Sequence, residues 1–168
     1  MCTKLFARFV FSFCAASLLM PLFAQNLKDS FKEKLYDTWR LVRIESVGPK
    51  GELYEPWFGG GAMGQIIYDR SGQMAAQLLR NPPPNNGSDS RDAYDGYYAY
   101  FGTFEVNEAT GIVTHHILSS LRPGERGIDY KRSVRFVGDK IVLTTEMQPR
   151  SELNGTMAAH RLTFERVR

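Results

Sequence analysis

The chain has 168 residues, of which 43% are hydrophobic and 23% charged, so it is long enough for one globular domain and is neither disordered nor fibrous. Its formal net charge is +3, and the basic side chains are scattered along the chain rather than clustered. Nucleic acid is therefore not expected as a partner, because phosphate binding needs a concentrated basic surface.

The N-terminal segment has the pattern of a secretory signal peptide. The uncharged, mostly apolar run Phe9–Ala24 follows two basic residues, Lys4 and Arg8, and ends in a small-residue cleavage site. A retained membrane anchor is the alternative, but the run holds only 16 residues and a spanning helix needs about 20. We therefore predict a leader over 1–24, a mature domain over 25–168 without a stable membrane span, and export to the periplasm or the medium.

Cysteine content and charge exclude further kinds of site in the mature chain. Both cysteines, Cys2 and Cys14, lie in the predicted leader, so the mature chain would hold no disulfide, thiol nucleophile or cysteine-ligated metal. Loss of the leader leaves 19 basic against 18 acidic side chains, which is close to neutral. The sequence contains no motif for a resident cofactor or metal, and it does not predict an oligomeric state.

One short helix precedes a series of strands. Leu27, Phe31 and Leu35 lie at helical spacing and predict a helix over 26–36. From Thr38 the pattern changes to short runs of β-branched and aromatic residues, which is typical of strands. Eight such runs, separated by turn residues, are predicted as strands: 38–47, 64–69, 73–79, 102–107, 112–119, 128–137, 140–146 and 156–167.

A second, tyrosine-rich helix is predicted between the third and fourth strands. Asp89 can cap its first turn, and Asp92 is favoured there by the helix dipole. At helical spacing Ala93, Tyr97 and Tyr100 share one stripe, most of which should pack into the core. Two or three tyrosine hydroxyls must still reach water, the cavity or a partner, since a buried unpaired hydroxyl costs about 1–3 kcal/mol.

The order of these elements predicts an all-β fold. The strands follow one another through short antiparallel connections, and no helix lies between parallel strands, which leaves an up-and-down barrel or a sandwich. Sequential hairpins favour the barrel, and eight strands suffice to enclose one small ligand. We therefore predict an eight-stranded antiparallel up-and-down barrel with a short N-terminal helix and one helix between strands 3 and 4.

Period-two alternation places several polar side chains inside the predicted barrel. In the strand 128–137, the apolar face that holds Val134 also carries Tyr130 and Arg132. In the last strand the inward face carries His160. The sequence therefore predicts a lumen that is partly polar.

The fifth strand carries two adjacent histidines, which must point to opposite faces. If Val106 pairs with Val113 across the hairpin, His115 faces the lumen and His116 faces outward. A slip of the register by one residue would exchange the two side chains. In either register, neighbouring histidines on a strand do not form a metal-binding motif.

An inward Arg132 carries the strongest functional implication. Its guanidinium stays charged, and burying it unpaired costs several kcal/mol, so a carboxylate, lumen water or a bound anion must meet it. The alternative is a structural arginine at the barrel floor with its stem packed on Trp39. The inward polar set exceeds what a dry core accepts without function or compensation, and its members are Tyr68, His115, Tyr130, Arg132 and His160.

Five segments resemble the lipocalin-like domain family in order and spacing, and they are Thr38–Leu41, 64–80, 97–106, 113–116 and 162–167. The resemblance covers nearly all of 35–168 and implies an eight-stranded calyx with a tryptophan, here Trp39, on its first strand. It also implies a small-molecule cavity. Leu118 stands where an acidic residue often follows the histidines in the family, which would remove a possible partner of Arg132 or His115.

These observations predict an exported protein that binds a small, mostly apolar ligand with an anionic or carbonyl group directed at Arg132. One alternative is a cofactor-free isomerase or cyclase in which His115 is the acid or base and Arg132 stabilises negative charge. Others are a haem site with one axial histidine and a structural barrel with a water-filled lumen. The predicted binding residues form an aromatic wall with a polar end: Trp39, Tyr68, Tyr97, Tyr100, Phe104, His115, Tyr130, Arg132 and His160.

Overall fold

A computed structural model describes residues 30–55, 58–59, 61–81 and 95–168 of the chain. The predicted leader, 1–24, lies outside these residues and stays a prediction. None of the helices in the described ranges is long and apolar enough to cross a membrane.

One short α-helix and ten strands form the regular structure of these ranges. The helix is α1 (Phe31–Leu35), capped by Ser30, whose Oγ accepts a hydrogen bond from the backbone N–H of Glu33 at 3.2 Å. The strands are β1 (Asp37–Val47), β2 (Leu53–Tyr54), β3 (Met63–Tyr68), β4 (Gln73–Leu79), β5 (Tyr97–Asn107), β6 (Ile112–Ser120), β7 (Asp129–Val137), β8 (Lys140–Thr145), β9 (Gln148–Arg150) and β10 (Thr156–Arg166).

Eight of the strands close into an antiparallel barrel. Neighbours pair in the order β1, β3, β4, β5, β6, β7, β8 and β10, and β10 pairs with β1 to complete the ring. Closure removes the unpaired edges that an open sheet would expose. The predicted all-β, up-and-down barrel is therefore confirmed. The two short strands lie outside the ring, where β2 pairs with β1 and β9 with β10.

The barrel has two different ends. At the end called here the closed end, α1 packs against the inside of the sheet, with the rings of Phe31 and Phe136 edge to face at 5.0 Å. Leu35 is fully buried there. At the opposite end, called here the mouth, the connection 121–128 and the segment 146–155 join the strands.

Trp39 anchors the closed end through both its edge and its face. Its indole N–H donates to the backbone carbonyl of Leu35 at 2.8 Å, which ties β1 to α1. The guanidinium of Arg166, on β10, lies 4.4 Å from the centroid of the Trp39 ring. The arginine on the Trp39 ring is thus Arg166, while the guanidinium of Arg132 lies on the ring of Tyr130.

The predicted tyrosine-rich helix is wrong from Tyr97 onward. Of this predicted helix, the described residues are helical only at 95–96, and β5 then pairs along its length with β4 and β6. Tyrosine and phenylalanine favour strands, and the hydrogen bonds of two neighbouring strands outweigh a chance helical spacing. The predicted capping residues lie outside the described residues.

Candidate functional site

A histidine between two tyrosines occupies the middle of the barrel. The hydroxyl oxygen of Tyr68, on β3, lies 2.8 Å from Nε2 of His115, on β6. The hydroxyl oxygen of Tyr100, on β5, lies 3.0 Å from Nδ1 of the same ring. His115 is 0% exposed, Tyr68 1% and Tyr100 7%. Both ring nitrogens of His115 are therefore engaged, well away from solvent.

The register of the β5–β6 hairpin decides which histidine enters this cluster. Val106 pairs with Val113, and two residues further along the ladder His115 pairs with Phe104. The predicted register is confirmed, so His115 faces the lumen. His116 points outward, where its Nδ1 lies 2.7 Å from Oδ1 of Asp129.

The three members of this cluster are uncharged at neutral pH. Burial lowers the pKa of His115 well below its usual range, and the charge of Arg132 lowers it further. Burial raises the pKa of Tyr68 well above the usual value and also raises that of Tyr100. The charge of Arg132 opposes the rise at Tyr100. The cluster is thus a neutral hydrogen-bonded chain beside a cation.

Arg132 lies next to this cluster, on the inner face of β7. It pairs across the ladder with the fully buried Val113, and its own side chain is half-buried. Its guanidinium lies 4.8 Å from the ring centroid of Tyr130, and Nη1 donates to the backbone carbonyl of Lys131 at 3.0 Å. Across the part of the chain that the structure describes, no carboxylate lies within ion-pairing distance of Arg132.

A carboxylate at the mouth binds the tyrosines above the cluster. Glu125 accepts hydrogen bonds from the hydroxyls of Tyr98 at 2.8 Å and Ser120 at 2.6 Å. Burial raises the pKa of Tyr130, and hydrogen bonding to Glu125 contributes to the rise. These contacts hold the short 3-10 turn Pro123–Glu125 against the barrel. Sequence reasoning missed Tyr98, which strand alternation with Tyr100 would have placed inside, and Glu125, which no local pattern distinguishes.

His160 belongs to a second cluster nearer the mouth. Its Nδ1 lies 3.0 Å from Oγ of Ser46, which is fully buried, and its Nε2 lies 3.1 Å from Oε1 of Glu152. Burial lowers the pKa of His160 to about 4, and the charge of Arg150 lowers it while Glu152 opposes the shift. Ser46 and Glu152 were not predicted, because neither a serine near the end of a strand nor a loop carboxylate gives a sequence signal.

Arg150 shows how a second arginine near the mouth satisfies its donors. Its Nε donates to the carbonyl of Ala158 at 3.0 Å, and Nη2 donates to Oγ1 of Thr145 at 2.6 Å and to the carbonyl of Glu146 at 3.2 Å. These bonds fasten β9 to β8 and β10. Arg150 is therefore committed to the fold, whereas the partners of Arg132 among the described residues are one backbone carbonyl and the hydroxyl of Tyr100.

The structure brings most of the predicted binding residues together. Phe104 packs edge to face on Tyr68, with ring centroids 4.9 Å apart. Tyr130 stands against Tyr100, with centroids 6.0 Å apart. The gathered residues are Tyr68, Tyr100, Phe104, His115, Tyr130 and Arg132.

Three other predicted residues do not join this group. Trp39 belongs to the packing of the closed end, and His160 has its own partners. Tyr97 was predicted to line the binding site, but alternation along β5 points Tyr98 and Tyr100 inward and Tyr97 outward. Leu118 is 52% exposed on the outer face, so an acidic residue there would not have partnered Arg132 or His115.

The geometry leaves little room for metal or haem ligation. Among the described residues no group of three or more histidine, cysteine or acidic side chains is placed to hold a metal ion. Both nitrogens of His115 and of His160 already have hydrogen-bond partners, so neither offers a free axial ligand. An open hollow on the hairpin that joins β5 and β6 lies away from the cluster, and its lining is Glu105, Val106, Asn107, Glu108 and Thr114.

Comparison with known proteins agrees with this architecture. The family model of the lipocalin-like domain matches residues 36–167, which include every strand of the barrel. No curated protein matches the chain.

Proposed function

The chain belongs to the lipocalin-like domain family, and from this membership and the inward Arg132 we propose that it binds a small, largely apolar molecule inside its barrel. The bound molecule carries an anionic or carbonyl oxygen that accepts hydrogen bonds from Arg132. The protein acts after export, in the periplasm or the medium.

The charge of Arg132, which has no carboxylate partner among the described residues, is the observation that carries the proposal. A guanidinium has five N–H donors, of which Arg132 gives one to the carbonyl of Lys131 and directs another at the hydroxyl of Tyr100, so donors remain for a ligand. Its side chain is half-buried, so part of its hydration is lost without a carboxylate in the described ranges to replace it. A ligand carboxylate would replace the lost hydration of the guanidinium with charge-assisted hydrogen bonds.

The surroundings of Arg132 favour a ligand whose remaining body is apolar. The ring of Tyr130 supports the guanidinium from one side. On the inner faces of β7 and β8, Val134 and Leu143 are buried and pair with each other across the ladder. Apolar walls with a few placed polar groups are the usual design of a small-molecule site.

The isomerase or cyclase alternative has weaker support from the geometry. A general base needs a nitrogen within reach of the substrate proton. Both nitrogens of His115 are occupied by tyrosine hydroxyls, and burial lowers its pKa well below the usual range. His115 is thus a part of the wall that orients its neighbours rather than an acid or base.

A matched set of eight-carbon probes tests the proposal. Calorimetric titration of the mature protein with octanoate, octan-1-ol and octylamine should give tightest binding for octanoate. Arg132→Met should weaken octanoate binding about 10–100-fold, because one charged hydrogen-bonding site is lost. Arg135→Met, an exposed arginine on the same strand, is the control and should bind as the wild type does.

Two results would count against this function. Equal affinity for octanoate and octylamine would show that no cation faces the ligand. A protein that binds none of the probes and gives a clean apo mass by native mass spectrometry from several hosts would oppose binding altogether.

Export has a separate test. The intact mass of the secreted or periplasmic protein should correspond to a chain that begins near Gln25.

A further inference from the structure

The network of Tyr68, His115 and Tyr100 contains one hydrogen more than it can use. A neutral imidazole has one N–H, and each tyrosine has one O–H, which gives three hydrogens. Two contacts join the three groups, and each contact uses one hydrogen. One hydroxyl hydrogen is therefore left without an acceptor inside the network.

Two arrangements of the hydrogens are compatible with these contacts. In the first, Tyr68 donates to Nε2, Nδ1–H donates to the oxygen of Tyr100, and the Tyr100 hydrogen is left over. In the second, Tyr100 donates to Nδ1, Nε2–H donates to the oxygen of Tyr68, and the Tyr68 hydrogen is left over. The tautomer of His115 distinguishes the two.

The surroundings of the two tyrosines favour the first arrangement. Tyr68 is 1% exposed and has the ring of Phe104 against it, so an unpaired hydrogen there would be stranded in apolar packing. Tyr100 lies among the rings of Tyr98 and Tyr130 and within the field of Arg132. A leftover hydrogen at Tyr100 therefore lies on the polar side of the cluster, beside Arg132.

We propose that the hydroxyl of Tyr100 and the guanidinium of Arg132 form a two-donor receptor for one ligand oxygen. Both groups present hydrogens. In this arrangement one lone pair of the Tyr100 oxygen accepts Nδ1–H, and the other faces the donors of the adjacent Arg132 guanidinium. The receptor therefore selects a proton-free oxygen, that of a carboxylate first and of a carbonyl second. It disfavours an alcohol and rejects an ammonium group. The inference rests on the proposed function and adds the residue that sets ligand selectivity.

The tautomer of His115 is the first test, and it needs no ligand. Nitrogen-15 spectra of the mature protein labelled at histidine should show His115 protonated at Nδ1 at neutral pH. His116→Gln and His160→Gln, each removing one of the other histidine signals, assign the resonance. Protonation at Nε2 would place the spare hydrogen on Tyr68 and overturn the inference.

Binding by Tyr100→Phe is the second test. This variant keeps the ring and removes the hydroxyl, and it should bind octanoate about 10-fold more weakly than the wild type does. Its preference for octanoate over octan-1-ol should shrink as well. Tyr97→Phe is the matched control, because it removes an outward hydroxyl three residues away on the same strand, and its binding should be unchanged.

The outcomes separate this inference from the proposed function. Unchanged octanoate affinity in Tyr100→Phe, together with a loss in Arg132→Met, would overturn the inference and leave the binding function standing. A wild-type protein that fails to bind octanoate would overturn both. If Tyr100→Phe does not fold, the tautomer of the wild-type protein still decides, since it is measured without any substitution.

Discussion

His115 and His160 both lie on inner strand faces, but the partners of His115 are neutral whereas those of His160 include a carboxylate. Both lie on inner strand faces, and both use two ring nitrogens in contacts of 2.8 to 3.1 Å. His115 lies between two neutral tyrosines, which are its neighbours within the barrel wall. His160 lies between the buried hydroxyl of Ser46 and the carboxylate of Glu152.

The difference separates the wall of the proposed binding site from a structural connection. The partners of His115 are on β3 and β5, so its contacts hold ring strands together and bring no charge that could neutralise Arg132. His160 connects β10 to β1 through Ser46 and to the turn Ser151–Leu153 through Glu152. A buried histidine is informative about ligand binding only when its partners leave a donor or a charge directed into the lumen.

Removal of His115 should have the largest effect on stability. His115→Ala leaves the hydroxyls of Tyr68 and Tyr100 buried without their partner and opens a cavity, so the free energy of unfolding should fall by about 3–5 kcal/mol. For His116→Ala, on the outer face of the same strand, the free energy of unfolding should fall by less than about 1 kcal/mol. Urea denaturation of the wild type and both variants measures these free energies of unfolding. Equal losses would mean that the cluster contributes no more than a partly buried histidine on the outer face does.

Acid should reveal the two buried histidines as proton-linked sites. A depressed folded pKa means that the unfolded chain binds the proton first, so stability is full above the unfolded value near 6.5 and falls as the pH drops. For His160, with a folded pKa of about 4, the loss between pH 7 and 5 is about 2 kcal/mol. His160→Gln should therefore lose about 2 kcal/mol less than the wild type over that interval. Parallel pH profiles of urea midpoints would contradict the assignment.

Alternation explains why the barrel and His115 could be predicted. The pairing of Val106 with Val113 follows from the short turn between β5 and β6, where Gly111 takes the left-handed conformation with φ of 67°. Once that pair is fixed, every second residue of β6 faces inward. The same rule placed Tyr130 and Arg132 on the inner face of β7.

Other parts of the site depend on information that a periodic pattern does not contain. Tyr97 and Tyr100 are three apart, which suits one face of a helix, whereas a strand separates them to opposite faces. Glu125 and Glu152 lie in mouth connections, where position follows from long-range packing rather than from spacing. Strand alternation allows both Arg166 and Arg132 to face inward. Only the β1–β10 register shows that Arg166 covers Trp39.

The smallest expected effect concerns the connection between His160 and the mouth. Glu152→Ala removes the carboxylate from Nε2 of His160, a partly exposed contact, and should lower the free energy of unfolding by about 1 kcal/mol. The change should appear as faster amide hydrogen exchange in the segment 146–155, with unchanged exchange around His115, because local opening does not need the rest of the barrel. Glu146→Gln, an exposed carboxylate in the same segment, is the control and should leave exchange unaltered. Faster exchange that spread to β3 and β5 would show instead that the two histidine clusters form one cooperative unit, and the distinction between wall and connection would fail.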